Sequence, residues 1–374
     1  MTRSLLARFL LIAGCLLALV PVHTARADEG VWTTTSIVSQ SPFNLAINPE
    51  NPGIVYVLGS QQMLVSRDGG AAWAVAPESQ AGITQLVFDP LTPAIMYAVA
   101  NGQLLKRASS SQSWATVAPG VLQGVTSVTV NPANPNQLWV VAGTGLFRSN
   151  DAGASWASGK VPATGQITAF ALGRPDPKHL YVWSSGQGFF YSQDDGTSWV
   201  KTGKGLEGKG DVEILQVDGA TAGALYAQVR GVLLASSDHG ANWAPITPAD
   251  RNYYSGNLLW TTGDGGTLYT TNGTILHRSR DRCASWQALQ PPNFRNVAAL
   301  FVDPRGPAVL YALADGTVLK SFDAGANWTP PPKPSPQIVA AHPGDPAILF
   351  ANGGGTFPQG ALRSGDGEIG RAHV

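Results

Sequence analysis

The eight residues SRDGGAAW, at positions 66–73, carry the pattern Ser-x-Asp-x-Gly-x-x-Trp as Ser66, Asp68, Gly70 and Trp73. Four further complete copies are Ser149, Asp151, Gly153 and Trp156; Ser192, Asp194, Gly196 and Trp199; Ser236, Asp238, Gly240 and Trp243; and Ser321, Asp323, Gly325 and Trp328. Two copies are altered. Cys283 takes the glycine position of the copy formed by Ser279, Asp281 and Trp286, and Arg107, Ser109 and Ser111 fill the polar and glycine positions before Trp114. Such recurrence indicates a repeat protein.

The spacing of the tryptophans gives the length of the repeat. Trp32 and the seven tryptophans of the pattern are separated by 41, 41, 42, 43, 44, 43 and 42 residues. A period of about 40 to 45 residues is typical of β-propeller blades, each built of four short strands. The sequence therefore predicts an all-β fold, a β-propeller of seven to eight four-stranded blades. Seven full units lie between Trp32 and Trp328 and residues 337–364 begin another, so both blade numbers stay open.

The conserved spacing inside the pattern has a structural explanation. Short Ser and Asp side chains hydrogen-bond to backbone N–H groups a few residues on, and Gly provides the positive φ that a tight turn requires. The Trp then begins the next strand and covers the hairpin, with its indole N–H in need of an acceptor. We expect the repeated Asp residues to be structural rather than calcium-binding or catalytic, because a functional carboxylate has no reason to recur in every unit.

Six of the units also contain a turn with one or more prolines, followed by a strand with a central aromatic residue. Asn48-Pro49-Glu50-Asn51-Pro52 leads to Tyr56, and Asn131-Pro132-Ala133-Asn134-Pro135 leads to Trp139. Proline cannot donate to a strand ladder, so these turns lie between strands. With strands A to D numbered outward from the hub, the proline turns are A–B connections and the Ser-x-Asp turns are C–D hairpins. Both then lie on one face of the disc, and the variable B–C and D–A loops lie on the other.

The repeated pattern resembles the Asp box, also called the bacterial neuraminidase repeat, over residues from about 31 to 367. Asp boxes occur in sialidases, in tandem-propeller xyloglucanases, in sortilin-type receptors and in photosystem II assembly factors. The resemblance therefore implies a fold more strongly than an activity. Sialidases of this class need an Arg-Ile-Pro segment, which this chain lacks. Tandem-propeller glucanases use two carboxylates in a cleft between two propellers, and a single ring has no second wall.

Variable loops close to the channel of a propeller normally carry its function. The two longest D–A loops, residues 201–211 and 247–256, are neighbours. Together with adjacent loops they predict a polar and aromatic binding patch over blades four to six. Its residues are Trp183, Gln187, Lys204, Arg230, Arg251, Tyr253, Tyr254, Phe294 and Arg295. Glu207, Asp211 and Asp250 are the candidate carboxylates for an alternative glycoside hydrolysis, which needs two acids at a suitable separation.

Composition excludes several other functions. With 24 basic and 24 acidic residues and no basic run, nothing suggests nucleic acid as a partner. The histidines lie at unrelated positions of different units, so we predict no metal site and no cofactor. After an N-terminal apolar stretch, no segment approaches the roughly 20 residues of a membrane span. Cys283 has no patterned catalytic partner.

The two ends of the chain do not fit the repeat. Arg3, the apolar residues 9–20 and the small-x-small site Ala25-Arg26-Ala27 predict a secretory signal over residues 1–27, with lipidation at Cys15 as the alternative. Residues 28–367 then form a single propeller domain. Residues 368–374 replace the expected Gly and Trp by EIGRAHV, which matches the translation of a sequencing adapter, so we expect the native protein to continue beyond 367.

These observations predict a secreted or periplasmic binding propeller without catalytic activity. A rigid ring would hold its irregular loops in a preorganised array, so that little entropy is lost on association with a protein partner or a glycan. Two alternatives remain: a glycoside hydrolase acting through the loop carboxylates, and a photosystem or envelope-complex assembly factor.

Overall fold

The computed structural model describes residues 42–59, 61–70, 73–109, 112–174, 176–246, 258–261, 267–271, 275–289, 297–303, 308–314, 317–328, 337–342, 345–352 and 361–364. Within these ranges the regular structure is entirely β, without a helix. Consecutive strands pair with one another as antiparallel meanders, and each meander is one blade. The predicted β-propeller is confirmed.

Six blades have four strands among the described residues. They are β1 (Pro42–Ile47), β2 (Val55–Gly59), β3 (Met63–Ser66) and β4 (Ala74–Val75); β5 (Ile83–Phe88), β6 (Met96–Ala100), β7 (Gln103–Arg107) and β8 (Ala115–Thr116); β9 (Val125–Val130), β10 (Leu138–Ala142), β11 (Gly145–Ser149) and β12 (Ala157–Ser158); β13 (Ile167–Leu172), β14 (Leu180–Ser184), β15 (Gly188–Ser192) and β16 (Val200–Thr202); β17 (Ile214–Val217), β18 (Leu225–Val229), β19 (Val232–Ser236) and β20 (Ala244–Pro245); and β21 (Leu258–Thr261), β22 (Leu268–Thr271), β23 (Leu276–Ser279) and β24 (Gln287–Leu289).

Two more sheets have three described strands each. Blade 7 contains β25 (Val297–Val302), β26 (Leu310–Ala314) and β27 (Thr317–Ser321), and a last sheet contains β28 (Gln337–His342), β29 (Asp345–Asn352) and β30 (Ala361–Ser364). Blade 1 packs against blade 7, where Tyr311 joins Leu45, Val55 and Val57 in one buried cluster. The ring therefore closes after seven blades, and β28–β30 follow it in the chain.

The hydrophobic core is centred on the second strand of the blades. In β10, all five residues of the sequence LWVVA are buried, and β6, β14, β18 and β26 show the same continuous burial. Aliphatic and aromatic residues on both faces of these strands pack against the two neighbouring blades. The outermost strands are short and exposed, as in β4 and β12.

In blades 1, 3, 4, 5 and 7 a backbone hydrogen bond joins the two turn types on one face, as the sequence predicts. The Ala152 N–H donates to the Asn136 carbonyl at 2.8 Å, which joins the C–D turn of blade 3 to its A–B turn. On the opposite face, the Gly143 N–H of a B–C loop donates to the Gly124 carbonyl of a D–A loop at 3.0 Å. Sequence-variable loops are therefore collected on the second face.

The Ser-x-Asp turns have the internal geometry that their composition favours. In blade 3 the Ser149 hydroxyl accepts the Gly153 N–H at 2.8 Å and donates to Asp151 Oδ1 at 2.8 Å. Asp151 also accepts the Ser155 hydroxyl at 2.5 Å and the Ser155 N–H at 2.8 Å, and the hydrogen bonds from Ser155 and Ser149 lower the pKa of its carboxyl to about 2. In blade 6 the buried Cys283 replaces the glycine at φ 71°, and its N–H donates to Ser279 at 2.8 Å.

The tryptophans that follow these turns use two kinds of acceptor. The indole N–H donates to the glycine of its own turn for Trp73, Trp156, Trp243 and Trp328, in blades 1, 3, 5 and 7. In blades 2, 4 and 6 it donates to a carbonyl of the preceding blade instead. The pairs are Trp114 with Glu78, Trp199 with Gly159 and Trp286 with Ile246. Three blade interfaces thus gain a direct hydrogen bond between neighbours.

Candidate functional site

A groove of about 690 Å³ lies between blades 4 and 5. Its walls come from the B–C loop of blade 4, from β15 and β16, and from the long D–A segment that follows them. Six of the residues predicted for the site line this groove: Trp183, Gln187, Lys204, Glu207, Asp211 and Arg230. The groove is thus built where variable loops of two neighbouring blades meet.

The D–A segment at residues 203–211 is anchored to blade 5. The Lys204 N–H donates to the Ala241 carbonyl at 3.0 Å, and the Trp243 N–H donates to the Lys204 carbonyl at 2.9 Å. Gly205 has φ 97°, and a Cβ there would stand 2.4 Å from the Trp243 carbonyl oxygen. Leu206 is buried in the core that the two blades share. These contacts hold one wall of the groove in place before any ligand binds.

Asp211 joins two loops of the groove. Its Oδ1 accepts the indole N–H of Trp183 at 3.0 Å, and its Oδ2 accepts the Ser185 hydroxyl at 2.9 Å. Both carboxylate oxygens therefore hold the B–C loop of blade 4 against the D–A segment. Sequence reasoning did not identify Ser185, although its position in the B–C loop beside Gln187 is the signal that could have found it.

Glu207 folds back onto its own loop. One of its carboxylate oxygens, Oε2, accepts the Gly205 N–H at 2.6 Å. Backbone hydrogen bonds from Glu207 itself and Gly205 lower the pKa of this exposed carboxyl, and the nearby charges of Lys204 and Lys209 act in the same direction. Glu207 is therefore an ionised carboxylate at neutral pH.

Three positively charged side chains line the groove. Lys201, Lys204 and Arg230 line it and are exposed, and within the described residues none of the three forms an ion pair. The Arg230 guanidinium lies over Gly210, where a Cβ would come within 2.6 Å of Arg230 Nε. Lys201 begins the loop predicted at residues 201–211, but the structure places it in β16, and it was not among the predicted site residues.

The aromatic residues of the groove do not offer open ring faces. Trp183 is 6% exposed and Phe189 is fully buried, and both rings belong to the core between blades 4 and 5. Gln187 donates to the Thr164 hydroxyl at 2.7 Å, across to the loop before blade 4. Among its described lining residues, the groove is therefore polar and cationic rather than aromatic.

The rest of the predicted patch falls outside the described residues. It comprises Asp250, Arg251, Tyr253, Tyr254, Phe294 and Arg295. The signal sequence, Cys15 and residues 368–374 also lie outside them. In the described part of the chain, no three His, Cys, Asp or Glu side chains are grouped to hold a metal ion. The same residues include no helix long and apolar enough to cross a membrane.

Comparison with known proteins finds related propellers, while no protein-family model matches the sequence. A xyloglucanase of Hypocrea jecorina (strain QM6a) is 26% identical over 276 residues, which is 71% of this chain and 27% of that protein. The chain thus spans little more than a quarter of that relative's length.

Solved structures give the same picture of the fold. The GH74 xyloglucanase from Xanthomonas campestris superimposes with a TM-score of 0.60 at 15% identity, over 88% of this chain and 66% of that chain. YCF48 bound to a D1 peptide superimposes with a TM-score of 0.56 at 14% identity, over 76% of this chain and 93% of that chain. At such identities the likeness shows a shared β-propeller fold.

Proposed function

We propose that this chain is a secreted or periplasmic binding propeller without catalytic activity, and that the groove between blades 4 and 5 receives its partner. The observation that carries the proposal is the state of Glu207 and Asp211, the two candidate carboxylates that line the groove. Glu207 is ionised and hydrogen-bonded within its own turn, and Asp211 uses both carboxylate oxygens to hold two loops together. Both carboxylates serve to shape a preorganised surface.

Hydrolysis of a glycoside is the second candidate function. The xyloglucanase relative favours it, but that reaction requires a carboxylic acid that stays protonated until it donates to the leaving group. The lowered pKa of Glu207 is the opposite of that requirement. Asp250, the third candidate, lies outside the described residues.

Groove chemistry favours a protein partner over a glycan. Sugar sites commonly present aromatic faces, whereas the rings of Trp183 and Phe189 are buried. Lys201, Lys204 and Arg230 offer exposed positive charge, which complements an acidic protein segment. Partner binding of this kind also agrees with an assembly-factor role, as the YCF48 complex with a D1 peptide illustrates for that protein.

Charge reversal tests the proposal. In affinity capture of envelope proteins, Lys204→Glu and Arg230→Glu are expected to lose the partner, because each places a negative charge in the groove. Lys178→Glu is the matched control, since Lys178 is exposed on the opposite face of blade 4. Retention of the partner by both groove variants would refute the groove as the binding site.

A glycosidase and glycan-array screen separates the alternatives. We expect no turnover by the unmodified protein. Turnover that disappears in Glu207→Gln or Asp211→Asn would overturn the binding proposal and establish a hydrolase. Glycan binding without turnover, lost in the groove variants, would keep the groove as the site and replace the protein partner by a sugar.

A further inference from the structure

Four stacked rings join blades 4 and 5 where the turns of the two blades meet. His179, which precedes β14, Tyr181 in β14 and Tyr191 in β15 belong to blade 4, and His239 lies in the Ser-x-Asp turn of blade 5. The centroids of the two imidazole rings are 4.7 Å apart. The Tyr191 ring lies 5.7 Å from His179 and 5.1 Å from His239. Two histidines are therefore in direct contact across a blade interface.

Each imidazole has a tyrosine hydroxyl as the partner of its Nδ1 atom. Tyr191 Oη is 2.6 Å from His179 Nδ1, and Tyr181 Oη is 2.8 Å from His239 Nδ1. Tyr181 is 1% exposed, and in the described part of the chain its hydroxyl has no other hydrogen-bond partner. A hydroxyl proton needs an acceptor, and an imidazole Nδ1 accepts only while the ring is neutral. This contact therefore favours the neutral form of His239.

Acid changes the contact in two ways. A protonated His239 ring donates from Nδ1, so the proton of the Tyr181 hydroxyl loses its acceptor. A proton on each ring also brings two positive charges together at the stacking distance. Burial and then the neighbouring His179 lower the pKa of His239 below its ordinary value of 6.5, whereas the charge of Asp238 acts against them. Below pH 6.5 the stacked arrangement is thus disfavoured relative to one in which the rings separate.

The turns around the pair supply few compensating charges. Asp176 Oδ2 lies 3.7 Å from His179 Nε2, and in the described part of the chain it is the one carboxylate within ion-pair distance of either ring. Asp238, next to His239, accepts hydrogen bonds from Ser236 and Asn242 inside its own turn. A second proton on the pair therefore lacks an ion-pair partner. The charged residues of the four surrounding turns are Arg174, Asp176 and Lys178; Asp194 and Asp195; Asp218; and Asp238.

The turn that carries His239 also anchors the groove between blades 4 and 5. Two residues after His239, the Ala241 carbonyl accepts the Lys204 N–H at 3.0 Å. The Trp243 N–H donates to the Lys204 carbonyl at 2.9 Å. Ala241 itself lines the groove. Movement of this turn away from blade 4 would therefore break the two hydrogen bonds that hold the groove wall.

We propose that the stacked pair of His179 and His239 is a pH switch. Neutral, the pair holds the turn of blade 5 against blade 4 and keeps the anchor of the groove closed; in acid, the pair separates and the anchor opens. The switch acts on the chain itself, so it can be measured without a partner and does not depend on the proposed function. Under the proposed function, its consequence is release of the partner at acidic pH.

Hydrogen exchange of the full chain tests the switch, followed by mass spectrometry on peptides that contain Lys204 and Trp243. After correction for the intrinsic pH dependence of amide exchange, both amides should exchange about tenfold faster at pH 5.0 than at pH 6.5, because each extra proton bound on opening shifts the equilibrium by up to about tenfold per pH unit. The Ala152 N–H, which donates to the Asn136 carbonyl in a turn without histidine, is the internal control and should not respond. Equal acceleration at Ala152 would show a global effect and overturn the switch.

Two variants assign the response to the pair. His239→Asn, which tolerates the φ of 58°, should reduce the acceleration to less than about twofold, since it removes the titrating ring. His179→Gln should reduce it in part, because the repulsion is lost while the Tyr181 contact remains. His342→Gln, in β28, is the matched control and should keep the full response. Exchange independent of pH in the unmodified chain, an undiminished response in either variant, or its loss in His342→Gln would each contradict the proposal.

Discussion

The ring closes between blades 7 and 1, which are not consecutive in the chain, and this interface provides the sharpest test of the fold. Lys320 Nζ donates to the Gly69 carbonyl at 3.0 Å, and the Tyr311 hydroxyl donates to the same oxygen at 3.4 Å. The interface between blades 2 and 3 has the same pair, with Lys106 at 2.7 Å and Tyr97 at 3.4 Å from the Ala152 carbonyl. A matched comparison is therefore possible within one molecule.

We consider Lys320→Met combined with Tyr311→Phe. A hydrogen bond from a charged donor contributes about 1.5 to 3 kcal/mol, and a long neutral one about 0.5 kcal/mol. Desolvation lowers the pKa of Lys320, so part of the first contribution is offset by the burial of its charge. We therefore expect the double variant to lower the free energy of unfolding by about 1.5 to 2.5 kcal/mol, measured by urea denaturation.

The matched double variant, Lys106→Met with Tyr97→Phe, should lower the free energy of unfolding by a similar amount. Hydrogen exchange distinguishes the two. Loss of the closing contacts permits sub-global opening at an interface between two blades that lie far apart in the chain, so exchange should accelerate selectively in blades 1 and 7. Loss of the contacts between blades 2 and 3 should not produce a local opening there. Identical exchange patterns in the two variants would refute the argument that chain continuity protects the internal interfaces.

Three further predictions concern the turns. Ser149→Ala should lower the free energy of unfolding by about 1 to 3 kcal/mol in urea titrations, because it leaves the Gly153 N–H without its acceptor, whereas the exposed Ser155→Ala should change it by less than about 0.5 kcal/mol. Burial and the neighbouring His179 lower the pKa of His239 below 6.5, so below pH 6.5 the unfolded chain binds more protons than the folded chain and the free energy of unfolding should fall as pH decreases. Because Asn tolerates the φ of 58° at this position, His239→Asn should fold normally and weaken this pH dependence. Urea midpoints measured across that pH window check the prediction. Burial raises the pKa of the Cys283 thiol to about 12, so a thiol reagent at pH 8 should modify it only after denaturation; rapid labelling of the folded chain would contradict its burial.

Much of the fold could be predicted from the sequence because its determinants are local. Turn chemistry needs only the residues of the turn: Ser149, Asp151 and Gly153 bond to one another within five positions. Buried strands such as β10 need aliphatic and aromatic residues in a continuous run. Repetition then fixes the alternation of turns and loops between the two faces of the disc.

The candidate site was predictable in position but not in chemistry. Variable long loops identified the groove between blades 4 and 5, and six predicted residues line it. Trp183, however, is a core residue whose indole N–H serves Asp211, and Glu207 is bound to its own loop. The hydrogen-bond partners of these side chains depend on how two loops from separate parts of the chain pack together, and the local sequence of either loop does not determine that packing.

By itself, the sequence determined the all-β class, the repeat of four strands and the structure of the Ser-x-Asp turns, since each depends on contacts between near neighbours in the chain. Tertiary structure decided that seven blades close the ring, through contacts from Tyr311 and Lys320 to Gly69, 242 and 251 residues away. It also decided which tryptophans donate to a carbonyl of the preceding blade. These features depend on the packing of whole blades, because closure balances the twist and width of all seven sheets at once.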